Sequence, residues 1–163
     1  MSIFDPRFRK APGRYLAQCA LAFLVIAGLI AFFSAVAEAV IVAALGSSAF
    51  IVFAMPHRIS AMPRRLVGGH LVCLAVGLAC SIPLREGWLA GGGLGFCVVA
   101  GASVSLAILA MVITNTEHPP AAGNALAFAV LDVGVLHIVV TVGAVLLLAV
   151  VRRALRGWLR DLV

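Results

Sequence analysis

Six apolar runs separated by short polar connections constrain this chain more than any other feature of its sequence. The runs cover residues 15–33, 36–53, 66–82, 93–114, 121–131 and 135–151. A run of about 20 residues spans about 30 Å as a helix, which matches the hydrocarbon core of a bilayer. The fifth run reaches only about 17 Å as a helix, so it cannot cross a bilayer alone.

The composition supports a membrane protein. Hydrophobic residues make up 64% of the chain and charged residues only 11%, whereas a soluble domain carries about 25% charged residues. We therefore predict an all-α polytopic membrane helical bundle with about five to six transmembrane segments. At 163 residues, the chain forms a single membrane domain: a basic N-terminus (1–14), the bundle (15–151) and a basic tail (152–163).

Basic residues indicate how the runs are oriented. If the N-terminus is cytoplasmic and the fifth run is a short or re-entrant segment that turns near Asp132, eleven of the twelve basic residues fall inside and only Arg85 falls outside. This distribution obeys the positive-inside rule, so both termini are expected in the cytoplasm. Five full spans remain the alternative. The arginines are expected to meet anionic lipid rather than nucleic acid, and the preference for Arg, Ala and Gly suggests a bacterial inner membrane.

A weak internal repeat relates residues 46–70 to residues 101–125 at an offset of 55. Gly46-Ser47-Ser48 matches Gly101-Ala102-Ser103, and Gly68-Gly69 matches Gly123-Asn124. Each copy contains small residues, an apolar helix, a proline-containing break and a glycine-rich helix start. Chance similarity in a sequence rich in Ala, Gly and Val is the alternative. Transporters commonly bind their substrates at the interface between internal repeats.

The densest polar cluster is the stretch Asn115-Thr116-Glu117-His118-Pro119-Pro120, between two apolar runs. Proline suits the first turn of a helix, so a helix is expected to begin here with free N–H groups that point into the break and favour an anion. A second helix start is expected at 66–70, after Pro63 and Arg64, on the same side. We therefore predict an anion site between the two breaks.

The candidate substrate-binding residues are Asn115, Thr116, Glu117, His118, Pro119, Pro120, Asn124, Ser47, Ser48, Arg64, Gly69, His70 and Ser103. Each has a structural alternative: the serines can simply let helices approach closely, and His70 can form an interhelical hydrogen bond. His118 is either a proton-coupled gate or a structural donor, and Glu117 can pair with Arg64 or Arg65 across the two breaks. The spacing does not match a helical metal motif, and no cofactor is expected.

Three stretches together resemble the HPP family of integral membrane proteins. They are Thr116-Glu117-His118-Pro119-Pro120-Ala121-Ala122, Gly46-Ser47-Ser48-Ala49 and Pro63-Arg64-Arg65-Leu66-Val67-Gly68-Gly69-His70. Arg65 stands where the family often has Asn, and Asn124 where it usually has a small residue. The family is described as multi-span transporters, with plastid and cyanobacterial members linked to nitrite. The resemblance therefore implies a small inorganic anion, nitrite-like, as substrate.

The sequence thus favours a transporter or channel for such an anion over an enzyme. The alternatives are a membrane enzyme that uses Glu117 and His118 for acid–base chemistry, and a non-catalytic scaffold or regulatory module. A chain of this length is short for enclosing a pathway by itself, so a homo-oligomer is expected.

Overall fold

The structure is a computed structural model that describes residues 11–32, 39–89 and 93–163. These residues form six α-helices and no strand: α1 (Pro12–Phe32), α2 (Ala39–Ala54), α3 (Pro63–Arg85), α4 (Gly93–Thr114), α5 (Ala121–Val130) and α6 (Val135–Ala154). A 3₁₀ turn, Ile59–Ala61, precedes α3. The predicted all-α class with a short fifth segment is confirmed. Two parts of the sequence analysis lie outside the described residues. They are Arg7, Arg9 and Lys10 of the basic N-terminus, and the start of the second apolar run at 36–38.

Three of the helices, α3, α4 and α6, are long and apolar enough to cross a membrane. The shorter apolar helices are α2, α5 and the Pro12–Gly28 part of α1. On α4 only one residue per turn is buried, namely Val99, Ser103, Ala107 and Met111. Leu94 and Ile113 on the same helix are 80% and 74% exposed. An apolar helix exposed on most of its surface is suited to lipid rather than water.

The connections that carry arginine meet at one end of the bundle, which we call the basic end. Here Arg152 Nη2 donates a hydrogen bond to the Pro56 carbonyl at 2.8 Å, and the Leu162 amide donates to the Ala54 carbonyl at 2.8 Å. The α2–α3 connection therefore packs against the tail that follows α6. Arg85 lies at the opposite end, where its Nη2 donates to the Val133 carbonyl at 3.1 Å.

Helix α5 is short because it begins inside the bundle rather than at its basic end. It has ten residues and is therefore about 15 Å long. The chain before α5 contacts Gly69, about 9 Å into α3 from Pro63. After α5, residues 131–134 leave the helical conformation and reach Arg85. The predicted turn near Asp132 is confirmed.

The surroundings of α5 explain why such a short helix is tolerated. It packs against α2, α3 and α4, and Phe128 is completely buried. At Gly77 of α3, an added Cβ would lie 2.6 Å from the Ala125 carbonyl oxygen and 2.9 Å from Phe128 Cβ, so only glycine permits this approach. Irregular backbone at membrane depth requires such protein cover, because lipid offers no hydrogen-bond partner.

The expected start of the third helix is corrected by the structure. Helix α3 begins at Pro63 rather than near residue 66, so Arg64 and Arg65 belong to its first turn and not to the break. Proline at this position fits, because the first turn has no intrahelical partner for its N–H group. Arginine is unfavourable there, because it faces the positive end of the helix dipole. An acidic partner from another element would offset this unfavourable interaction.

Candidate functional site: a buried histidine centre

Four polar side chains from three helices and one break meet inside the bundle, and we call them the polar centre: Ser48, His70, His118 and Asn124. Their exposed fractions are 0%, 3%, 0% and 0%. Ser48 Oγ lies 2.9 Å from His70 Nε2 and 2.9 Å from His118 Nε2. Asn124 Nδ2 lies 2.8 Å from His70 Nδ1. The centre therefore forms one continuous hydrogen-bond network.

The second break inserts His118 into this network. Asn115 adopts a left-handed conformation with φ of 54°, which turns the chain out of α4, and the Thr116 amide then donates to the Met111 carbonyl at 2.9 Å. An added Cβ at Gly69 would lie 2.7 Å from His118 Cβ and 2.8 Å from the Thr116 carbonyl oxygen. Glycine at this position therefore lets the break lie directly on α3.

The first break fixes the other side of the His118 ring. The Ser60 carbonyl oxygen, in the 3₁₀ turn, lies 2.9 Å from His118 Nδ1. A carbonyl oxygen can only accept, so Nδ1 carries a proton. The two breaks are thus joined through one imidazole, which bonds to Ser60 on one side and to Ser48 of α2 on the other.

An ion pair covers the centre toward the basic end. Arg65 donates one hydrogen bond to the Glu117 carboxylate and another to Asn115 Oδ1 at 2.5 Å. The side chains of Arg65 and Glu117 are 22% and 38% exposed. The pairing across the two breaks therefore uses Arg65, while Arg64 is exposed and only approaches the Thr114 carbonyl at 3.5 Å.

The expectation that free amides of the helix starts point into the break is wrong for α5. At α5 the Ala121 amide donates to the His118 carbonyl, and Ala122 and Gly123 donate to the carbonyls of the two prolines, at 2.9–3.2 Å. At α3 the amides of Arg65 and Leu66 both donate to the Met62 carbonyl at 2.9 Å. At α5 a tight turn satisfies these groups locally, so the polar chemistry of the centre comes from side chains.

The structure brings most of the predicted site residues into one region and leaves three apart. Those at or beside the polar centre are Ser48, Gly69, His70, Thr116, His118, Pro119, Pro120 and Asn124, with Asn115 and Glu117 in the ion-pair cover. Ser47 and Arg64 are exposed. Ser103 is buried, and its hydroxyl donates to the Ala100 carbonyl of its own helix at 2.8 Å.

Sequence reasoning missed Gln18, a completely buried residue of α1. Its Nε2 donates to the Phe53 carbonyl at 2.7 Å and to the Arg160 carbonyl at 3.0 Å, and its Oε1 accepts from the Arg160 amide at 3.1 Å. One side chain thus joins α1, the end of α2 and the C-terminal tail at the basic end. The signal in the sequence was a single amide side chain inside an apolar run.

The centre is closed toward the opposite end as well. A cavity of about 230 Å³ lies there, lined by Ser81, Leu84, Arg85 and residues 129–132. Between this cavity and the polar centre, Gly77 packs against Ala125 and Phe128 without space for a further methyl group. The histidines are therefore shielded on both sides in this conformation.

Among residues 11–32, 39–89 and 93–163, no group of three or more His, Cys, Asp and Glu side chains could hold a metal ion. Glu117 bonds to Arg65, whereas His118 bonds to Ser48 and Ser60. Glu117 and His118 are adjacent in the sequence, but they therefore have separate hydrogen-bond partners and do not pair with each other in this conformation.

The fold and this site define a polytopic helical membrane protein with a buried histidine centre between two broken helices. The family profile described as "HPP, transmembrane region" matches residues 8–155, and the chain belongs to this family. It is also 33% identical, over 87 residues, to a Dictyostelium discoideum protein named only as a transmembrane protein. That match covers 53% of this chain and 29% of the relative, so the chain spans less than a third of the relative's length. No solved structure matches the chain significantly.

Proposed function

We propose that this protein transports a small inorganic anion, nitrite-like, across a cell membrane. The observation that carries the proposal is the polar centre, in which His118 from the second break is buried together with Ser48, His70 and Asn124 from three helices. Polar and ionisable groups at membrane depth are costly and typically mark a substrate or ion pathway. Broken helices near the middle of a membrane are a recurrent substrate site in transporters.

The charges around the centre favour an anion. None of the four side chains of the polar centre is a carboxylate, and the nearby Glu117 is neutralised by Arg65. Arg58 and Arg64 are exposed at the basic end, where Arg152 also lies. An excess of cationic groups around an entrance raises the local concentration of anions and repels cations.

In this proposal the anion enters when the ion pair between Arg65 and Glu117 opens. The ion then lies beside the Ser48 hydroxyl and the ring N–H groups of His70 and His118, which replace its water. The structure corresponds to a conformation closed on both sides. Access to the opposite end requires α5 to move away from Gly77 of α3, where the two helices are in closest contact.

The proposal includes an orientation and an assembly. We place the basic end and both termini in the cytoplasm of a bacterial cell, because most arginines lie there. The exposed apolar surface of α4 allows contact with lipid or with a second copy, so a homo-oligomer remains part of the proposal. A reporter enzyme fused to the C-terminus, active only on one side of the membrane, tests the orientation.

The function is tested by nitrite uptake into proteoliposomes. We expect uptake that saturates with nitrite and is lost, by at least about tenfold, in His118→Ala and Pro119→Ala proteins inserted at normal levels. His118→Ala removes the bonds of the second break to Ser48 and Ser60, and Pro119→Ala frees the backbone torsion that proline fixes before α5. His137→Ala is the matched control, since His137 only accepts a bond from the Gly134 amide at the opposite end. Undiminished uptake in both break variants would contradict the proposal. Competition by chloride, nitrate and formate then defines the selectivity.

A further inference from the structure

The hydroxyl of Ser48 makes more contacts than its single proton can serve. Its oxygen lies 2.9 Å from His70 Nε2, 2.9 Å from His118 Nε2 and 2.9 Å from the Ala44 carbonyl oxygen. A hydroxyl donates one hydrogen bond and accepts up to two. At most one of these three contacts therefore uses the serine proton, and at least one imidazole must donate to the serine.

The neighbouring contacts limit the possibilities further. His118 Nδ1 carries a proton, because its partner is the Ser60 carbonyl. If both histidines are neutral, His118 Nε2 is then an acceptor and the Ser48 proton must point to it. His70 Nε2 donates to Ser48, and His70 Nδ1 accepts from Asn124 Nδ2. With both rings uncharged, only this arrangement serves all the contacts of the two imidazoles.

One excess proton fits the same network without the loss of a histidine hydrogen bond. If His118 gains a proton at Nε2, it donates to Ser48, and the serine hydroxyl turns to the Ala44 carbonyl, which already lies at hydrogen-bond distance. His70 and Asn124 keep their bonds. Protonation of His70 instead would place an N–H group against the Nδ2 group of Asn124, so the amide would have to turn over.

We infer that the polar centre is a proton-binding site in which His118 takes the proton and the Ser48 hydroxyl switches between His118 and the Ala44 carbonyl. Eight other titratable or charged groups lie on the described elements around it. They are His57 and Arg58 in the first break, Arg64, Arg65, Cys73, Cys80 and Arg85 on α3, and Glu117 in the second break; α2, α5 and residues 104–114 of α4 carry none. Glu117 is paired with Arg65, so no carboxylate in the centre balances a charged His118.

A charged His118 without a balancing carboxylate suggests how protons and anions are coupled, and this coupling rests on the proposed function. A buried cation without a partner is unfavourable. The transported anion can supply the missing charge, so the proton and the anion are expected to bind together and to cross as a neutral pair.

Nuclear magnetic resonance of ¹⁵N-histidine in protein reconstituted into lipid tests the proton site without any transport assay. The chain has four histidines, and His57→Asn and His137→Asn proteins assign the two outside the centre. At high pH we expect His118 protonated at Nδ1 and His70 protonated at Nε2. His137 is an internal reference for the Nε2–H tautomer, because its Nδ1 accepts from the Gly134 amide. On acidification His118 should become doubly protonated while His70 keeps its tautomer.

A Ser48→Ala protein sharpens the test. Protonated His118 donates a charged hydrogen bond to Ser48, and its loss costs more than the loss of the bond that neutral His118 accepts. The His118 titration should move to lower pH, whereas the Nε2–H tautomer of His137 at the opposite end should be unchanged. A neutral His118 protonated at Nε2, or a His118 that stays neutral until the protein unfolds, would overturn the proton site. If His118 titrates but nitrite at constant pH does not increase its doubly protonated fraction, the pairing with the anion is wrong and the proton site stands.

Discussion

The two breaks of the helical bundle hold the same centre together in different ways. The first, residues 55–62, contains a 3₁₀ turn and contributes only the Ser60 backbone carbonyl. The second, residues 115–120, contributes the His118 side chain and the carboxylate of Glu117. The first is followed by a helix of 23 residues and the second by one of ten.

This difference shows that residues 46–70 and 101–125, which the predicted repeat aligns, have different roles in the bundle. The first stretch leads into the long helix α3, whose glycines Gly69 and Gly77 leave room for close approach. The second stretch supplies the break and the short helix that lie against these glycines. The repeat predicts where breaks occur, but it does not predict which break enters the bundle.

The largest effect is expected at the surface that receives the second break. In Gly69→Ala the new methyl group would overlap His118 Cβ and the Thr116 carbonyl oxygen, neither of which can move without shifting the backbone. We expect a loss of about 3 kcal/mol in stability, the upper part of the range for overpacked sites, measured by thermal unfolding in detergent.

The matched control is Gly46→Ala on α2, where nothing lies within 4 Å of an added Cβ. Alanine is a better helix former than glycine, so this protein should be as stable as the parent or more stable by up to about 1 kcal/mol. Equal destabilisation in both variants would mean that the break does not lie on Gly69.

The sequence predicted the fold more completely than the site, for physical reasons. Apolar length and charge asymmetry act along the whole chain, so six segments and a short fifth could be predicted from them. The motif glycines, histidines and prolines also indicated where the centre lies. Which side chains face each other depends on how each helix is rotated about its own axis in the packed bundle. A local sequence pattern does not contain this information. Arg65, rather than Arg64, therefore pairs with Glu117, and Ser48 joins the centre while Ser47 points outward.

The amides at the helix starts were predicted incorrectly for a related reason. Proline at a helix start implies unpaired N–H groups only if the preceding chain stays extended. Here the chain before α5 closes a tight turn, in which the Ala121 amide donates to the His118 carbonyl. The site consequently depends on side chains, and Gln18, which the patterns did not single out, fastens α1 to the basic end.

An intermediate effect should separate the two aligned serines of the repeat. Ser48→Ala leaves two buried imidazole nitrogens without their shared partner, and we expect a loss of about 2 kcal/mol. Ser103→Ala removes a hydroxyl that bonds only to the Ala100 carbonyl of its own helix. Such a bond contributes little to a helix, so stability should change by less than about 0.5 kcal/mol. Similar losses of stability in both proteins would mean that Ser48 and Ser103 have equivalent roles and that the two aligned stretches do not differ in the way described.

The smallest effect on stability is expected at the ion pair that covers the centre. A double-mutant cycle of Arg65→Gln and Glu117→Gln should give a coupling free energy below about 1 kcal/mol, because both side chains are partly exposed and water screens them. Arg85→Gln combined with Glu117→Gln is the control and should show no coupling, since Arg85 lies at the opposite end.

The same cycle has a larger consequence for uptake if the ion pair acts as a cover. In Glu117→Gln, Arg65 loses its competing carboxylate and remains available to an entering anion, so nitrite uptake at low concentration should rise while stability hardly changes. In Arg65→Gln, Glu117 is left unpaired beside the entrance and repels the anion, so uptake should fall. Opposite effects on uptake with similar stabilities would distinguish a cover over a pathway from a simple structural contact. Equal loss of uptake in both proteins would show that the second break needs the ion pair only to stay in place.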